Sequence, residues 1–186
     1  MFKKITVLAL LVIGSLSACS SNTSASATSK FPSNYAEMKA HAQGFTVGDA
    51  PVARTVFIYF DTQCPHCSQT WDAMKPFSSK LKVIWVPVGL LNGLSAPQGA
   101  VLLASTAPLL SMEAHETSMR ANRGGIDTGS VKDADISKIK RNTQLFMDMG
   151  FEGVPVMIYA DRAGTSHEIV GSKSTAELIK LLEVTP

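Results

Sequence analysis

The sequence predicts an α/β fold, and three observations lead to that prediction. Two apolar runs rich in β-favouring residues, at 55–60 and 82–88, have the length and composition of buried strands. Large apolar residues recur at helical spacing between 71 and 77, directly after the first run. A third apolar run at 153–159 follows a long segment of helical pattern, so strands and helices alternate along the chain.

Composition limits the possible classes of protein. The 186 residues are 45% hydrophobic and 17% charged, which is typical of a globular chain and unlike a disordered one. The formal net charge is +2, and two lysines within residues 1–18 account for it, so the rest of the chain is formally neutral. Neither nucleic-acid binding nor an electrostatic membrane patch is indicated.

Residues 1–18 have the pattern of an export signal peptide. Lys3 and Lys4 form a basic start, and residues 5–14 form an apolar segment that is too short for a bilayer, which needs about 20 residues. The tetrapeptide Leu-Ser-Ala-Cys that ends at Cys19 resembles a bacterial lipobox. The resemblance implies cleavage before Cys19 and lipid attachment to it. The alternative is an ordinary signal with a cysteine there by chance.

The segment 19–30 is rich in serine, threonine and alanine, and this composition predicts a flexible tether. Ser20 after the lipobox cysteine resembles the pattern of lipoproteins sorted to the outer membrane. We therefore expect a periplasmic, lipid-anchored location, with residues 31–186 forming the folded domain. An exported compartment also permits a persistent disulfide between the two remaining cysteines.

Local signals place the first elements of that domain. Residues 35–42 predict a short helix, and residues 44–51 predict a short strand or turn. Pro76 should end or kink the helix that follows the first apolar run, because proline lacks an N–H group. Pro87 indicates that the end of the second strand lies at an edge of the sheet.

A helical insertion is predicted for residues of about 95–150. Two helices are expected at 98–107 and 109–120, and glycines break the chain after them. Asp133 is a candidate N-cap for a third helix, and Gly150 is a candidate C-cap.

The last predicted elements are a hairpin and a helix. The strand at 153–159 contains Pro155 near its start, a turn follows at 161–164, and the chain returns at 165–170. Ser174 is the predicted N-cap of the final helix.

The first strand leads into the sequence Cys64-Pro65-His66-Cys67 at the start of the first long helix. Unpaired backbone N–H groups and the positive end of the helix dipole favour an anion at this position. A cysteine there is stabilised as the thiolate, which is the reactive form of the side chain. Pro65 suits the first helical turn, where its missing N–H is not needed. Since the spacing also allows a small disulfide, the motif predicts a redox dithiol.

Two other uses of the cysteine pair remain open. A zinc site normally has four ligands, but the sequence has no second cysteine pair, and His41, His115 and His167 are scattered without ligand spacing. A purely structural disulfide is the other possibility. No metal and no cofactor is predicted.

These motifs resemble the thioredoxin superfamily, and in particular its bacterial periplasmic disulfide-bond (Dsb) branch. The tetrapeptide at 64–67 resembles that of DsbA-type oxidases, whereas Phe60-Asp61 before it resembles the DsbC and DsbG type. The resemblance spans residues of about 50–186. It implies a thioredoxin fold with the helical insertion between the second strand and the strand of the cis-proline.

The resemblance also implies a role for each residue of the site. Cys64 would exchange with substrate, Cys67 would be the resolving cysteine, and His66 would stabilise the Cys64 thiolate. A cis-proline would face the dithiol and expose the backbone before it to an extended substrate. The expected substrate-binding residues are Pro65, Val154 and Pro155.

The implied activity is donation of the Cys64–Cys67 disulfide to exported proteins, with an unidentified redox partner that restores it. Thioredoxin and DsbA carry a buried acid where this chain has Ile58. Residues 31–50 are too few for the dimerisation domain of the DsbC and DsbG branch, so a monomer is expected. The alternatives are a reductase or isomerase of that branch and a copper-binding dithiol lipoprotein. The sequence lacks a Met/His-rich patch beside the dithiol, which argues against copper.

Overall fold

A computed structural model gives the fold. It describes the following residues: 34–48, 54–129 and 131–185. The predicted signal peptide (1–18), the lipidation of Cys19 and the tether (19–30) lie outside the described residues. None of the helices in the described part of the chain is long and apolar enough to span a membrane.

The described part of the chain contains both helices and strands. In chain order they are α1 (Asn34–His41), β1 (Phe45–Val47), β2 (Thr55–Asp61), α2 (Pro65–Met74), β3 (Lys82–Val88), α3 (Ser95–Ala104), α4 (Pro108–Arg120), α5 (Asp133–Asp148), β4 (Val156–Ala160), β5 (Ser166–Val170) and α6 (Thr175–Leu182). The predicted α/β class is confirmed, and α3, α4 and α5 lie between β3 and β4 as an insertion.

The strands form a sheet of order β1-β3-β2-β4-β5. β2 is parallel to β3 and antiparallel to β4, while β1 and β5 pair antiparallel at the two sides. Tyr59 of β2 lies opposite Val156 of β4 in this register. The end of β2 and the start of β4 are therefore neighbours. The segment that follows β2 lies beside the segment that precedes β4.

Successive residues of β2 build the two sides of the core. Ile58 and Phe60 belong to an apolar cluster that includes residues of α2 and α6. Phe57 and Tyr59 belong to a second cluster, with residues of α1 and α5. Because helices cover both faces, β2 is apolar along its length instead of at alternate positions.

The apolar face of α2 holds this helix against the sheet. Cys67, Trp71 and Met74 recur on one face and are buried. The Trp71 ring packs edge-on against Trp85 of β3, with 5.0 Å between the ring centroids. Its Nε1–H donates a hydrogen bond to Glu113 of α4 at 3.1 Å. The position of the first turn of α2, which carries the cysteines, is thereby fixed relative to the sheet.

Proline and local signals set the ends of several elements. α2 ends at Met74, and a 3₁₀ turn that contains Pro76 follows it. β1 pairs with β3 at residues 83–85, so Pro87 lies beyond the end of β1. α3 begins and ends earlier than predicted, at Ser95 and Ala104.

The helix caps are predicted correctly in one case and wrongly in another. Ser174 caps α6 in a capping box with Glu177, as predicted. The N-cap prediction for Asp133 is wrong, because Lys132 occupies that position and Asp133 is the first helical residue of α5. A carboxylate in the first turn is still favourable there, since it faces the positive end of the helix dipole.

Asn142 is a buried polar residue of α5 whose side chain hydrogen-bonds to the sheet and to the loop before β1. It is 1% exposed. Its Oδ1 accepts from the Gln43 N–H at 3.0 Å, and its Nδ2 donates to the carbonyls of Gln43 and Pro87 at 2.7 and 3.0 Å. One amide thus satisfies backbone groups of two segments, the loop before β1 and the strand β3.

We expect Asn142→Ala to lower the free energy of unfolding by about 2–4 kcal/mol, because it leaves buried backbone groups unpaired. Urea unfolding measures the change. Gln144→Ala on the exposed side of the same helix is the control, and it should change the free energy by less than about 0.5 kcal/mol. Equal effects of the two substitutions would contradict a stabilising role for the hydrogen bonds of Asn142.

Candidate active site

Cys64 occupies the N-cap position of α2, and Pro65 is the first helical residue. Its backbone is extended, with φ −93° and ψ 115°. The Cys64 N–H donates to the Asp61 carbonyl at 3.1 Å, and the Cys64 carbonyl accepts from the N–H groups of Cys67 and Ser68 at 3.0 and 3.2 Å. These bonds hold the turn between β2 and α2 in one conformation.

The two cysteines are free thiols with unequal exposure. Cys64 is 6% exposed and Cys67 is 1% exposed. The sulfur of Cys64 is therefore the one that a substrate sulfur can reach.

The surroundings of Cys64 favour its thiolate. A hydrogen bond from the Cys67 side chain is the largest cause, and it lowers the pKa of Cys64 to about 6 against the opposing effect of burial. The backbone of Cys67 and that of His66 lower the pKa further. The charge of His66 makes a smaller contribution in the same direction.

Cys67 is affected in the opposite direction. Burial raises the pKa of its thiol far above the usual range, and the hydrogen bond and charge of Cys64 add to this. The two thiols therefore ionise in a fixed order, with Cys64 first. Cys67 stays protonated and remains a hydrogen-bond donor to its partner.

His66 is exposed at the surface of the first turn of α2. Its Nδ1 lies 3.2 Å from Oε1 of Gln69, and the same Gln69 oxygen accepts from the Ser172 hydroxyl at 3.1 Å. Pro65 beside it is also exposed. Both side chains lie at the surface next to Cys64.

The structure brings Val154 and Pro155 to the dithiol. The Val154–Pro155 peptide bond is cis. The Cys64 thiol donates to the Val154 carbonyl, with 3.6 Å between sulfur and oxygen. Because β4 begins directly after Pro155 and pairs with β2, this segment lies where β2 leads into the cysteines.

Asp61 is a functional residue whose role the sequence did not predict. It is 1% exposed, and its carboxylate accepts from the N–H groups of Gln63, Leu90 and Leu91 at 2.8, 2.7 and 3.0 Å. The carboxylate thus joins the dithiol loop to the loop after β3. Its charge raises the pKa of Cys67, but a backbone hydrogen bond of Asp61 lowers that pKa more, and burial is the main cause of the high value. An acid at the end of a buried strand, just before the cysteines, was the available signal.

A second buried acid lies beside the first turn of α2. Glu116 of α4 is 2% exposed and lies close to the side chain of Ser68. Burial raises its pKa, while Ser68 and the charge of Arg120 oppose this. Arg120 lies 3.2 Å from Asp72 and 3.9 Å from Glu116, so charged groups connect α4 to α2. No sequence signal indicated this pairing across the insertion.

Metal ligands are not grouped in the described part of the chain, since no three His, Cys, Asp or Glu side chains lie close enough together to hold an ion there. His41 pairs with Glu37 and His167 with Asp161, at 3.8 and 2.8 Å.

Known proteins resemble this chain in sequence and in structure. No protein-family model matches the chain. The chain is 25% identical over 137 residues to the thiol:disulfide interchange protein DsbG of Pseudomonas aeruginosa, covering 73% of this chain and 53% of the relative. It is 27% identical over 125 residues to DsbG of Escherichia coli, covering 66% and 49%. The chain thus spans about half the length of the curated relatives it matches.

Solved structures share the fold. A periplasmic thioredoxin-like protein of Salmonella enterica serovar Typhimurium superposes with a TM-score of 0.63 at 17% identity, over 81% of this chain and 94% of the other. DsbA2 of Pseudomonas aeruginosa gives 0.60 at 18% identity, over 77% and 92%. The catalytic domain of Proteus mirabilis ScsC gives 0.59 at 14% identity, over 81% and 93%. The chain is therefore a protein of thioredoxin fold whose sequence resembles the Dsb thiol:disulfide interchange proteins.

Proposed function

We propose that this chain is a thiol–disulfide oxidoreductase that donates a Cys64–Cys67 disulfide to exported protein substrates. The observation that carries the proposal is the opposite effect of the site on its two thiols: the pKa of Cys64 falls to about 6 and that of Cys67 rises. At neutral pH the reduced form holds a stabilised thiolate at Cys64. Stabilising the reduced form makes the disulfide form a stronger oxidant.

The proposed reaction has two exchange steps. A substrate thiolate attacks the Cys64 sulfur of the disulfide, the Cys64–Cys67 bond breaks, and Cys67 leaves with the electron pair and takes up a proton. A second substrate thiolate then attacks the substrate sulfur of the mixed disulfide, and Cys64 leaves as a thiolate. The substrate loses two electrons and forms a disulfide, while the protein gains them. Cys64 is suited to the second step because a thiol of low pKa is a better leaving group.

The surface around Cys64 supports binding of an extended substrate. Pro65 and His66, which follow Cys64 in the chain, are exposed, and Val154, whose carbonyl accepts from the Cys64 thiol, is partly exposed. A partner that accepts two electrons from the reduced dithiol would restore the disulfide after each cycle.

An isomerase or reductase is the second candidate, and the sequence similarity to DsbG favours it. The oxidase proposal is supported against it by the stabilised reduced form, which favours giving the disulfide away. Residues 34–48 also form α1 and β1, which pack on the sheet of this same fold. That stretch is therefore part of the same fold as the dithiol.

Titration of the reduced protein tests the thiolate. We expect thiolate absorbance to rise with a midpoint near pH 6, below the ordinary value of about 9. The ionised Cys64 should therefore stabilise the reduced state fully above about pH 9 and lose this contribution as the pH falls through about 6. A midpoint at or above about pH 8 would contradict the proposal that the protein is an oxidant.

The source of the low pKa is tested with two variants of the partner cysteine. Cys67→Ala removes the side-chain hydrogen bond and should raise the Cys64 midpoint, whereas Cys67→Ser keeps a donor and should raise it less. Thiolate absorbance again measures both. Identical midpoints in the two variants would assign the low pKa to the backbone N–H groups instead.

The direction of the reaction is tested with two substrates. Residues 20–186, with the Cys64–Cys67 disulfide formed, should rapidly oxidise a reduced unfolded protein but recover little activity from one with scrambled disulfides. Light scattering should give the mass of a monomer, and Cys64→Ala should be inactive with both substrates. A stable dimer that rescues the scrambled substrate would assign the chain to the isomerases.

Membrane anchoring is tested with the full-length chain. Since the mature chain is formally neutral, we propose that acyl chains on Cys19 hold it on the periplasmic side of the outer membrane. Cys19→Ser should move the protein to the soluble periplasmic fraction, while Ser20→Ala should stay lipidated. Wild-type protein that is soluble and unlabelled by fatty acid would refute the anchor.

A further inference from the structure

The helical insertion places one fully buried histidine against the dithiol loop. His115 of α4 is 0% exposed. Its Nε2 lies 2.8 Å from the carbonyl oxygen of Thr62, and its Nδ1 accepts from the Ile126 N–H at 3.1 Å. Because Nδ1 is an acceptor, the ring proton is on Nε2, and Nε2–H donates to Thr62. Burial lowers the pKa of His115, which keeps the ring neutral in this arrangement.

Thr62 lies between the end of β2 and the cysteines. It is 2% exposed, and its hydroxyl donates to the Ser95 carbonyl at 3.3 Å. The peptide units on either side of it belong to the turn that the Cys64 N–H closes on the Asp61 carbonyl. A shift of the Thr62 carbonyl would therefore move Cys64 relative to the first N–H groups of α2.

The segment after α4 is packed tightly on the imidazole. A Cβ atom at Gly125 would lie 2.6 Å from Cε1 of His115 and 2.7 Å from Nε2 of Gln98, and Gly125 has φ +94°. Gln98 in turn donates to the carbonyls of Gly124 and Ile126 at 2.7 and 3.1 Å. The ring therefore has a fixed place and a fixed orientation.

We propose that His115 is a positioning residue for the dithiol, which holds the Thr62 carbonyl so that Cys64 keeps its place at the N-cap position of α2. The helical insertion then contributes to the oxidising strength of the site without contacting either sulfur. This inference rests on the proposed function of the dithiol. It differs from a packing role, in which only the volume of the ring matters.

Two amide substitutions distinguish the roles of the two ring nitrogens of His115. His115→Gln keeps a donor near the place of Nε2, whereas His115→Asn keeps an acceptor near the place of Nδ1. Both remove the same ring from the same buried position. The measurements are the Cys64 titration midpoint and the equilibrium constant for disulfide exchange with glutathione.

We expect His115→Asn to raise the Cys64 midpoint by about one pH unit. It should lower the equilibrium constant for oxidation of glutathione by the protein about tenfold. This corresponds to a decrease of about 30 mV in the reduction potential of the dithiol. In His115→Gln the same equilibrium constant should stay within about threefold of the wild-type value. Ser118→Ala is the control, because the Ser118 hydroxyl binds the Gly125 carbonyl at 2.8 Å, so the variant loosens the same segment without touching Thr62. It should change neither quantity.

Equal shifts in the two His115 variants, a larger shift in His115→Gln, or no shift in either would overturn the proposal. If His115→Asn does not fold, imidazole nitrogen NMR of the wild type decides: the Nε2-protonated ring in both redox states supports the proposal, and any other form in the reduced protein overturns it. The glutathione equilibrium of the wild type separately tests the proposed function. A weakly oxidising wild type would contradict that function even if the two variants differ as expected.

Discussion

The first turn of α2 has N–H groups that no helical carbonyl can accept, and the chemistry of the site depends on what lies opposite them. Here that group is Cys64, at the N-cap position, with Pro65 after it. The same turn brings the Cys67 side chain close enough to donate a hydrogen bond to Cys64. A negative sulfur at Cys64 thus gains several donors, whereas a negative sulfur at Cys67 would be buried and would face another thiol.

The sheet determines what else reaches Cys64. β2 ends at Asp61 and pairs antiparallel with β4, so the start of β4 must lie beside the dithiol loop. Val154 and Pro155 are brought to the sulfur by this pairing, across a sequence separation that the insertion fills. Since β2 is buried on both faces, the position of its end is fixed by the core and does not depend on the loop alone.

Much of this arrangement could be predicted from local patterns. The central strands, α2 and the Ser174 cap each have their signal within a few residues, in apolar runs or capping side chains. Asp133 shows the limit of such signals, because an acid in the first turn and an acid at the N-cap are equally plausible from sequence. The contact between His115 and Thr62 and the bonds of Asp61 to Leu90 and Leu91 join distant segments. No local pattern encodes such contacts, since they depend on how the insertion packs.

The tetrapeptide alone therefore does not account for the site. His66 is exposed, and its charge has a smaller effect on the Cys64 pKa than the Cys67 hydrogen bond has. The stronger effects require geometry: a donor thiol held within reach, the start of α2 held beside Cys64, and a second cysteine that is buried. Asp61 fixes the loop before Cys64 from the end of β2, because its carboxylate accepts from backbone N–H groups of two loops at once. Buried polar groups of this kind are costly unless every partner is in place, so they favour one arrangement of the loops around the two sulfurs.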